Sequence, residues 1–384
     1  MNPIYLDYNA TTPVDPRVLE AMLPYFSEIY GNPANGYHLQ GRRSAKAIDH
    51  AREQVASLIG AKPHEIFFTS GSTESNNLAI QGFFHGMTGS DHWDLLTSVI
   101  EHKSVIEPCK ILAEKGNDLI LLEVDHFGIV RPEDKFKSLG HRQMYLSLHF
   151  ANNEIGTIQN LTEWSAKIHA NGGVVHSDAT QAIGKIPVDV DQLGIDLLSM
   201  SSHKLYGPKG IGALYIRGGR KQIPIAPLFF GGGQESGLRP GTSNVAGIVG
   251  FGAACELSAD VLVSEHARQE ELRDTFETSL LESIPGSIIN AKGSTRLPNT
   301  SSVTFADVEG DALLANLPEV MMGTGSACSS GAMEPSHVLQ AIGLSRDQAS
   351  RTIRASLGRF TTDDDIRVAI AHITKAYRIL INYK

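Results

Sequence analysis

Between about residue 60 and residue 220 the chain repeats one pattern: a short apolar run, a polar break, then a stretch with helical spacing. The runs are Glu65–Thr69, Trp93–Val99, Asp118–Glu123, Met144–Phe150, Gly173–His176, Ile195–Met200 and Gly212–Ile216. Their length and apolar content predict buried strands. Helices are predicted near Glu74–His85, Lys103–Lys115 and Thr162–Ala170. Strands that alternate with helices are joined by crossovers, which predicts an α/β fold with a mostly parallel sheet covered on both faces. In such sheets ligands gather beyond the carboxyl ends of the strands. The residues that follow each run are therefore the first to inspect.

The flanking regions differ. Residues 1–15 are too short and polar for a domain and read as an arm laid across the molecule. Helices are expected after Pro16 and over Gly41–Leu58. Residues 218–245 are rich in glycine and form a loop-rich connection. A long helical pattern over Val245–Leu281 and an amphipathic Asp363–Ile381 follow. The expected division is a large domain over 16–245 and a smaller α/β domain made from 1–15 and 246–384. A net charge of −9 argues against a nucleic-acid footprint. No apolar run of about 18 residues suggests a membrane span, and the first residues lack the basic start of a secretory signal. The three cysteines have neither metal-site nor CxxC spacing, which fits a cytoplasmic protein without a bound metal.

The strand exits carry reactive residues. Lys204 follows Ile195–Met200 in Ser201-Ser202-His203-Lys204, where Ser201 and His203 can donate to a phosphate. Asp178 ends the run before Ala179-Thr180-Gln181. A lysine that forms a Schiff base and an aspartate that faces a pyridinium nitrogen are the two protein groups that pyridoxal phosphate (PLP) requires. Ser70-Gly71-Ser72-Thr73 leads into a helix, whose free N–H groups suit a phosphate. His102 and Asn153 stand at two further exits, placed to stack on a planar ring or to hold a ring oxygen or carboxylate. Arg354, in an expected strand, is a natural fork for a substrate carboxylate, whereas Arg351 and Arg359 read as surface salt bridges. Cys328 lies in a run of small residues, Gly325-Ser326-Ala327-Cys328-Ser329-Ser330, and is a candidate nucleophile. Cys109 and Cys255 read as buried small hydrophobes. Each residue alone also has a plain reading: a surface lysine, a helix cap, a turn asparagine, a structural histidine or an ordinary loop thiol.

Taken together, the chain resembles the cysteine desulfurases of the NifS/IscS type, class V aminotransferases of PLP fold type I. The resemblance runs over essentially the whole chain. It rests on Leu6-Asp7-Tyr8-Asn9-Ala10-Thr11-Thr12-Pro13, Thr69–Asn77, Asn152-Asn153-Glu154-Ile155-Gly156, Asp178-Ala179-Thr180-Gln181, Ser201–Gly210 and Gly325–Ser330. One departure is Ala34-Asn35-Gly36-Tyr37-His38 after Gly31-Asn32-Pro33, where the family usually has Ser-x-His. The resemblance implies a seven-stranded sheet and the conversion of L-cysteine to L-alanine, with sulfur taken by Cys328 as a persulfide. It further implies that Lys204 holds the cofactor and moves the Cα proton, and that His102 stacks on the ring. Asp178 pairs with the ring nitrogen, while Gln181 and Asn153 lie by its phenolic oxygen. Ser72, Thr73, Ser201 and His203 would hold the phosphate, Arg354 the substrate carboxylate, and Thr242 the phosphate of the partner subunit in a homodimer. The sulfur would pass to an acceptor or scaffold protein, for iron–sulfur clusters or other sulfur-containing molecules, with Cys328 a transient ligand of a transferred cluster. The alternatives are a selenocysteine lyase, another class V enzyme, or a sulfur-delivery subunit of a larger complex for tRNA thiolation or DNA sulfur modification.

Overall fold

The computed structural model describes residues 3–87, 93–131, 143–324 and 336–382. Its centre is a seven-stranded sheet in the order β2-β8-β7-β6-β5-β3-β4. The strands are β2 (Ile66–Thr69), β3 (Trp93–Ser98), β4 (Asp118–Leu122), β5 (Gln143–Ser147), β6 (Val174–Asp178), β7 (Leu197–Ser201) and β8 (Gly212–Ile216). Strands β7, β6, β5, β3 and β4 are parallel, and β8 is antiparallel to both neighbours. Each expected run holds one strand. The run at β5 continues beyond Ser147 as single bonds, Leu148 N to His176 O at 3.0 Å and Phe150 N to Asp178 O at 2.9 Å.

Successive strand residues point to opposite faces, and both faces are covered. Leu95, Phe67 and Tyr145 pack with Leu78 and Phe83 of α3 (Ser72–Gly86) and with Val105 and Leu112 of α4 (Lys103–Glu114). Leu96, Phe68 and Leu146 pack on the other side with α2 (Leu39–Leu58), α5 (Leu161–His169) and the first half of α6 (Val245–Ser283), through Ile48, Trp164 and Phe251. Two buried faces explain why the strands read as unbroken apolar runs.

A second core lies around an antiparallel sheet of β9 (Ile288–Ile289), β10 (Thr300–Thr304) and β12 (Thr352–Ser356). The second half of α6 gives it Leu272, Phe276 and Leu280, and α7 (Asp363–Asn382) gives it Ile366, Ile370 and Ile373. Burying each such side chain contributes about 1.5–3 kcal/mol. The arm joins this core: β1 (Ile4–Tyr5) pairs in parallel with β11 (Val320–Met321), and Leu6 is buried. Helix α6 thus serves both cores. An 18-residue window of it has a mean hydropathy of 1.6, enough to cross a membrane, but half of that window is buried inside the protein, as in a core helix.

Arg351 pairs with the exposed Asp347, as expected. Arg359 differs. It reaches the buried Asp15 at 2.9 Å, and its guanidinium lies 4.2 Å over the Tyr206 ring. Tyr206 and Asp15 are too distant in sequence to have signalled this.

Candidate active site

The exits of β2, β3, β5, β6 and β7 lie at one edge of the sheet, because these strands run in one sense. The Ser201–Gly210 turn begins there with a 3₁₀ turn, Ser202–Lys204. Lys204 Nζ donates to Asn9 O at 2.5 Å and Ala10 O at 2.6 Å. Burial first, then the Arg354 charge, lower its pKa from 10.5 to about 8. About a tenth of this amine is therefore neutral and nucleophilic at pH 7, against well under a thousandth for an ordinary lysine.

Asp178 ends β6 and is buried. Its carboxylate accepts from Asn76 Nδ2 at 2.7 Å and from Thr180 N at 2.9 Å. Asn76 Nδ2 also donates to Ser104 Oγ at 2.8 Å. Ser104 in turn meets His102, which caps α4: Ser104 N donates to His102 Nδ1 at 3.1 Å, and Ser104 Oγ lies 2.7 Å from it. An N–H can only donate, so Nδ1 accepts and the neutral ring carries its proton on Nε2. His102 and Asp178 are thus tied through two side chains.

A cavity of about 340 Å³ is lined by Thr11, Ser72, Thr73, Ser201, His203 and Lys209, among others. Ser72 and Thr73 open α3, and no side chain caps that helix. Its first N–H groups are free to hold an anion. Gly71 before them has φ 151°, a conformation that favours glycine. Strand β8 presses on this turn: a Cβ on Gly212 would stand 2.4 Å from Met200 O and 2.7 Å from Gly71 Cα. His203 Nδ1 meets Thr11 Oγ1 at 3.1 Å. Burial, then Lys204, push His203 down to about 4, so it is neutral.

Arg354 lies on β12 and faces the arm. Its Nη2 donates to Asp7 Oδ1 at 2.5 Å and its Nη1 to Asn153 O at 3.2 Å. Among the described residues its Nε is buried without a partner, as are Asn76 Oδ1 and Thr180 Oγ1. Asn153 contributes this carbonyl, which also accepts from Asn9 Nδ2 at 3.1 Å. Gln181 is buried and donates through Nε2 to Asn9 O at 2.9 Å.

These contacts bring Lys204, Gln181, Asn153 and Arg354 around the arm, with Asp178 close enough to Lys204 for its charge to act on the amine and His102 linked to Asp178. Ser72, Thr73, Ser201 and His203 share the cavity. Thr242 is apart: it is exposed, in a loop tied down by Glu235, which accepts from Arg52 at 2.7 and 2.8 Å and from Phe68 N at 2.9 Å. Cys328 and its run of small residues lie outside the described residues. The described neighbours on either side meet the site: Gly323 N donates to Arg354 O at 3.1 Å, and Ser336 Oγ donates to Glu154 Oε2 at 2.5 Å. His38, at the departure from the family pattern, caps α2 by accepting from Gly41 N at 3.0 Å. No cluster of metal-ligating side chains occurs among the described residues.

Asp7, Asn9, Asn76 and Lys185 are polar members of this edge whose roles were not evident in the sequence. The first two lie within the Leu6–Pro13 motif, and Asn76 lies in Thr69–Asn77. Lys185 stands four residues after Gln181, a one-turn spacing that is the only local signal.

The geometry can hold a phosphorylated aromatic aldehyde with a basic ring nitrogen. The model of the family described as "Aminotransferase class-V" matches residues 4–368. The "Cysteine desulfurase IscS" of Dictyoglomus turgidum is 46% identical, over 99% of this chain and 97% of that protein. A solved structure described as "NIFS-LIKE PROTEIN" superposes with a TM-score of 0.91 at 37% identity, over 98% of this chain and 100% of that one. Another, "SspA in complex with cysteine", gives 0.81 at 37% identity, over 93% and 99%.

Proposed function

The chain belongs to the class-V aminotransferase family, and on that premise we propose that it is a PLP-dependent cysteine desulfurase that converts L-cysteine to L-alanine. The observation that carries this is a lysine amine lowered to about 8 beside a carboxylate held by two donors, at the sheet edge that also has an uncapped helix N-terminus. These features fit PLP, and the Arg354 Nε, without a partner among the described residues, fits a substrate carboxylate. PLP, when bound, supplies the electron sink that lets the Cα proton leave and the sulfur become transferable.

The chain's residues do the rest. Ser72, Thr73, Ser201 and the neutral His203 donate to the phosphate. Asp178 accepts the ring N–H, Gln181 donates to the phenolic oxygen, and Asn153 lies near that oxygen and the carboxylate. His102 would stack on the ring and offer Nε2–H to it or to the substrate. Lys204 holds the cofactor, then, as a free amine, takes the substrate's Cα proton and returns a proton. The Cys328 thiolate attacks the substrate sulfur and keeps it as a persulfide, and the three-carbon product gains a proton and leaves as alanine. Atoms balance: cysteine and one enzyme thiol give alanine and one enzyme persulfide. The contacts of Gly323 and Ser336 support Cys328 in this role. The persulfide sulfur passes to an acceptor or scaffold protein, for iron–sulfur clusters or other sulfur-containing molecules.

Two cores support a large domain over 16–245 and a small one from 1–15 and 246–384, joined by α6. The exposed Thr242, with Phe229 and Phe230 also exposed, supports a homodimer in which Thr242 serves the partner's phosphate. The protein acts in the cytoplasm.

The test is the absorbance spectrum before and after L-cysteine, with alanine assayed in parallel. A band near ~400 nm, an imine property, that changes as alanine forms is expected. A band without alanine rejects the desulfurase, and no band after added PLP rejects the Lys204 site. Cys328→Ala should retain the band and lose sulfide release; undiminished release would reject the persulfide.

A further inference from the structure

Lys185 is a second amine beside the reactive one, and the chemistry above does not use it. It lies one turn after Gln181. Its Nζ donates to Gln181 Oε1 at 2.6 Å and to Asn9 Oδ1 at 3.1 Å. Its backbone carbonyl lies 3.1 Å from His266 Nδ1, on α6, which anchors its place in the chain. Among the described residues, Lys185 makes no ion pair. A lysine in such a place is costly unless its N–H groups are all used.

The use is visible in the amides. Gln181 Nε2 and Lys204 Nζ donate to the same oxygen, Asn9 O, at 2.9 and 2.5 Å. The Gln181 amide could in principle turn over. Its oxygen would then face the Asn9 carbonyl, and its NH₂ would face the donors of Lys185. The first hydrogen bond would become a repulsion, and so would the second as long as Lys185 presents its N–H groups. Asn9 is fixed in the same manner. Its Oδ1 accepts from Lys185 and, at 3.1 Å, from Asn299 Nδ2, while its Nδ2 donates to Thr300 Oγ1 at 2.8 Å and to Asn153 O at 3.1 Å.

We propose that Lys185 is a positioning residue that fixes Gln181 as a donor toward the site and so keeps an acceptor away from the Lys204 amine. A glutamine turned over would offer its oxygen beside Lys204 and favour the charged ammonium. The charged groups around the two amines are Arg354, Asp178 and Asp7, besides each other. Burial, and then Lys204, hold the Lys185 amine well below the usual lysine range. In either protonation state it has N–H groups for both acceptors. This inference deepens the proposed cofactor site and rests on it for the role of Gln181, but its geometry belongs to the chain alone.

The test is therefore made first on the protein without PLP. Competitive acylation with acetic anhydride, read by mass spectrometry across pH, gives the titration midpoint of Lys204. In Lys185→Met the midpoint should rise by about one pH unit, a roughly tenfold loss of neutral amine at neutral pH. In the Gln181→Ala background the same substitution should move it by less than half as much, since the effect acts through Gln181. Lys185→Arg, which only donates, should not raise the midpoint, and Lys185→Leu replaces the Met variant if that fails to fold by near-ultraviolet circular dichroism. An unchanged midpoint in Lys185→Met, an equal shift with and without Gln181, or a raised midpoint in folded Lys185→Arg would overturn the proposal. The pH titration of the absorbance band in the PLP-loaded protein is the second readout. Failure of that band to form would count against the cofactor reading and leave the labelling result standing.

Discussion

Lys204 combines two opposed needs in one side chain. It must be neutral to react, yet it sits among carbonyl oxygens that favour the ammonium. Burial, with Arg354 next, resolves this in favour of a pKa of about 8. The neutral fraction grows as pH rises through that value. Uptake of PLP by the cofactor-free protein should therefore speed up with pH and level off above about 8. Stopped-flow absorbance after mixing checks this; a rate flat between pH 6 and pH 9 would contradict it. Lys204, Asp178 and His102 could be found in the sequence because each follows an apolar run. Asn9 could not. Its partners Asn153 and Ser356 lie 144 and 347 residues away, and no local spacing encodes such contacts.

The turn after β5 shows how an element presents chemistry. Asn152 Oδ1 accepts from Glu154 N at 2.8 Å and Ile155 N at 3.1 Å, which folds the turn and aims the Asn153 carbonyl at Arg354. Glu154 is buried beneath it, and burial raises its carboxyl from 4.5 to about 7, against the opposing pull of Ser336 and Arg354. The folded state thus holds a proton that the unfolded chain has lost in the window from 4.5 to 7, so stability falls as pH rises through it. The size is on the order of 3 kcal/mol. Glu154→Gln, neutral throughout, should lose this dependence. Urea unfolding at pH 5 and pH 8 should show the variant gaining relative to wild type at the higher pH. The turn could be read from its asparagines, but the buried carboxyl could not, since glutamate there looks solvent-facing until Ser336 and Arg354 are brought over it.

At the scale of the molecule, two cores are held together by α6 and by polar contacts near both ends of the chain. Asp15 takes two arginines, Arg17 at 2.8 Å and Arg359 at 2.9 Å. The Arg17 bond leads in lowering its carboxyl from 3.8 to about 2, with Arg359 adding to it. A depressed carboxylate gives stability that is present above the unfolded value and is lost as pH falls from about 3.8 toward 2. It amounts to roughly 2 kcal/mol. Arg359→Met should shrink it and leave the buried Asp15 short of a partner, so acid unfolding should begin at higher pH, read by circular dichroism. The arm also fixes an order of events. Asn9 N donates to Ser356 Oγ at 2.9 Å, and Asn9 Nδ2 to Thr300 Oγ1 at 2.8 Å. On a ribosome Asn9 emerges 347 residues before Ser356. The large sheet can assemble on the nascent chain, but the oxygens that receive Lys204 are anchored only once β12 has been made. A product stalled before β12 would carry Lys204 without Arg354 and without the anchors of the arm, so its amine would return toward the ordinary lysine range, and premature termination yields an inert chain rather than an unregulated source of sulfur.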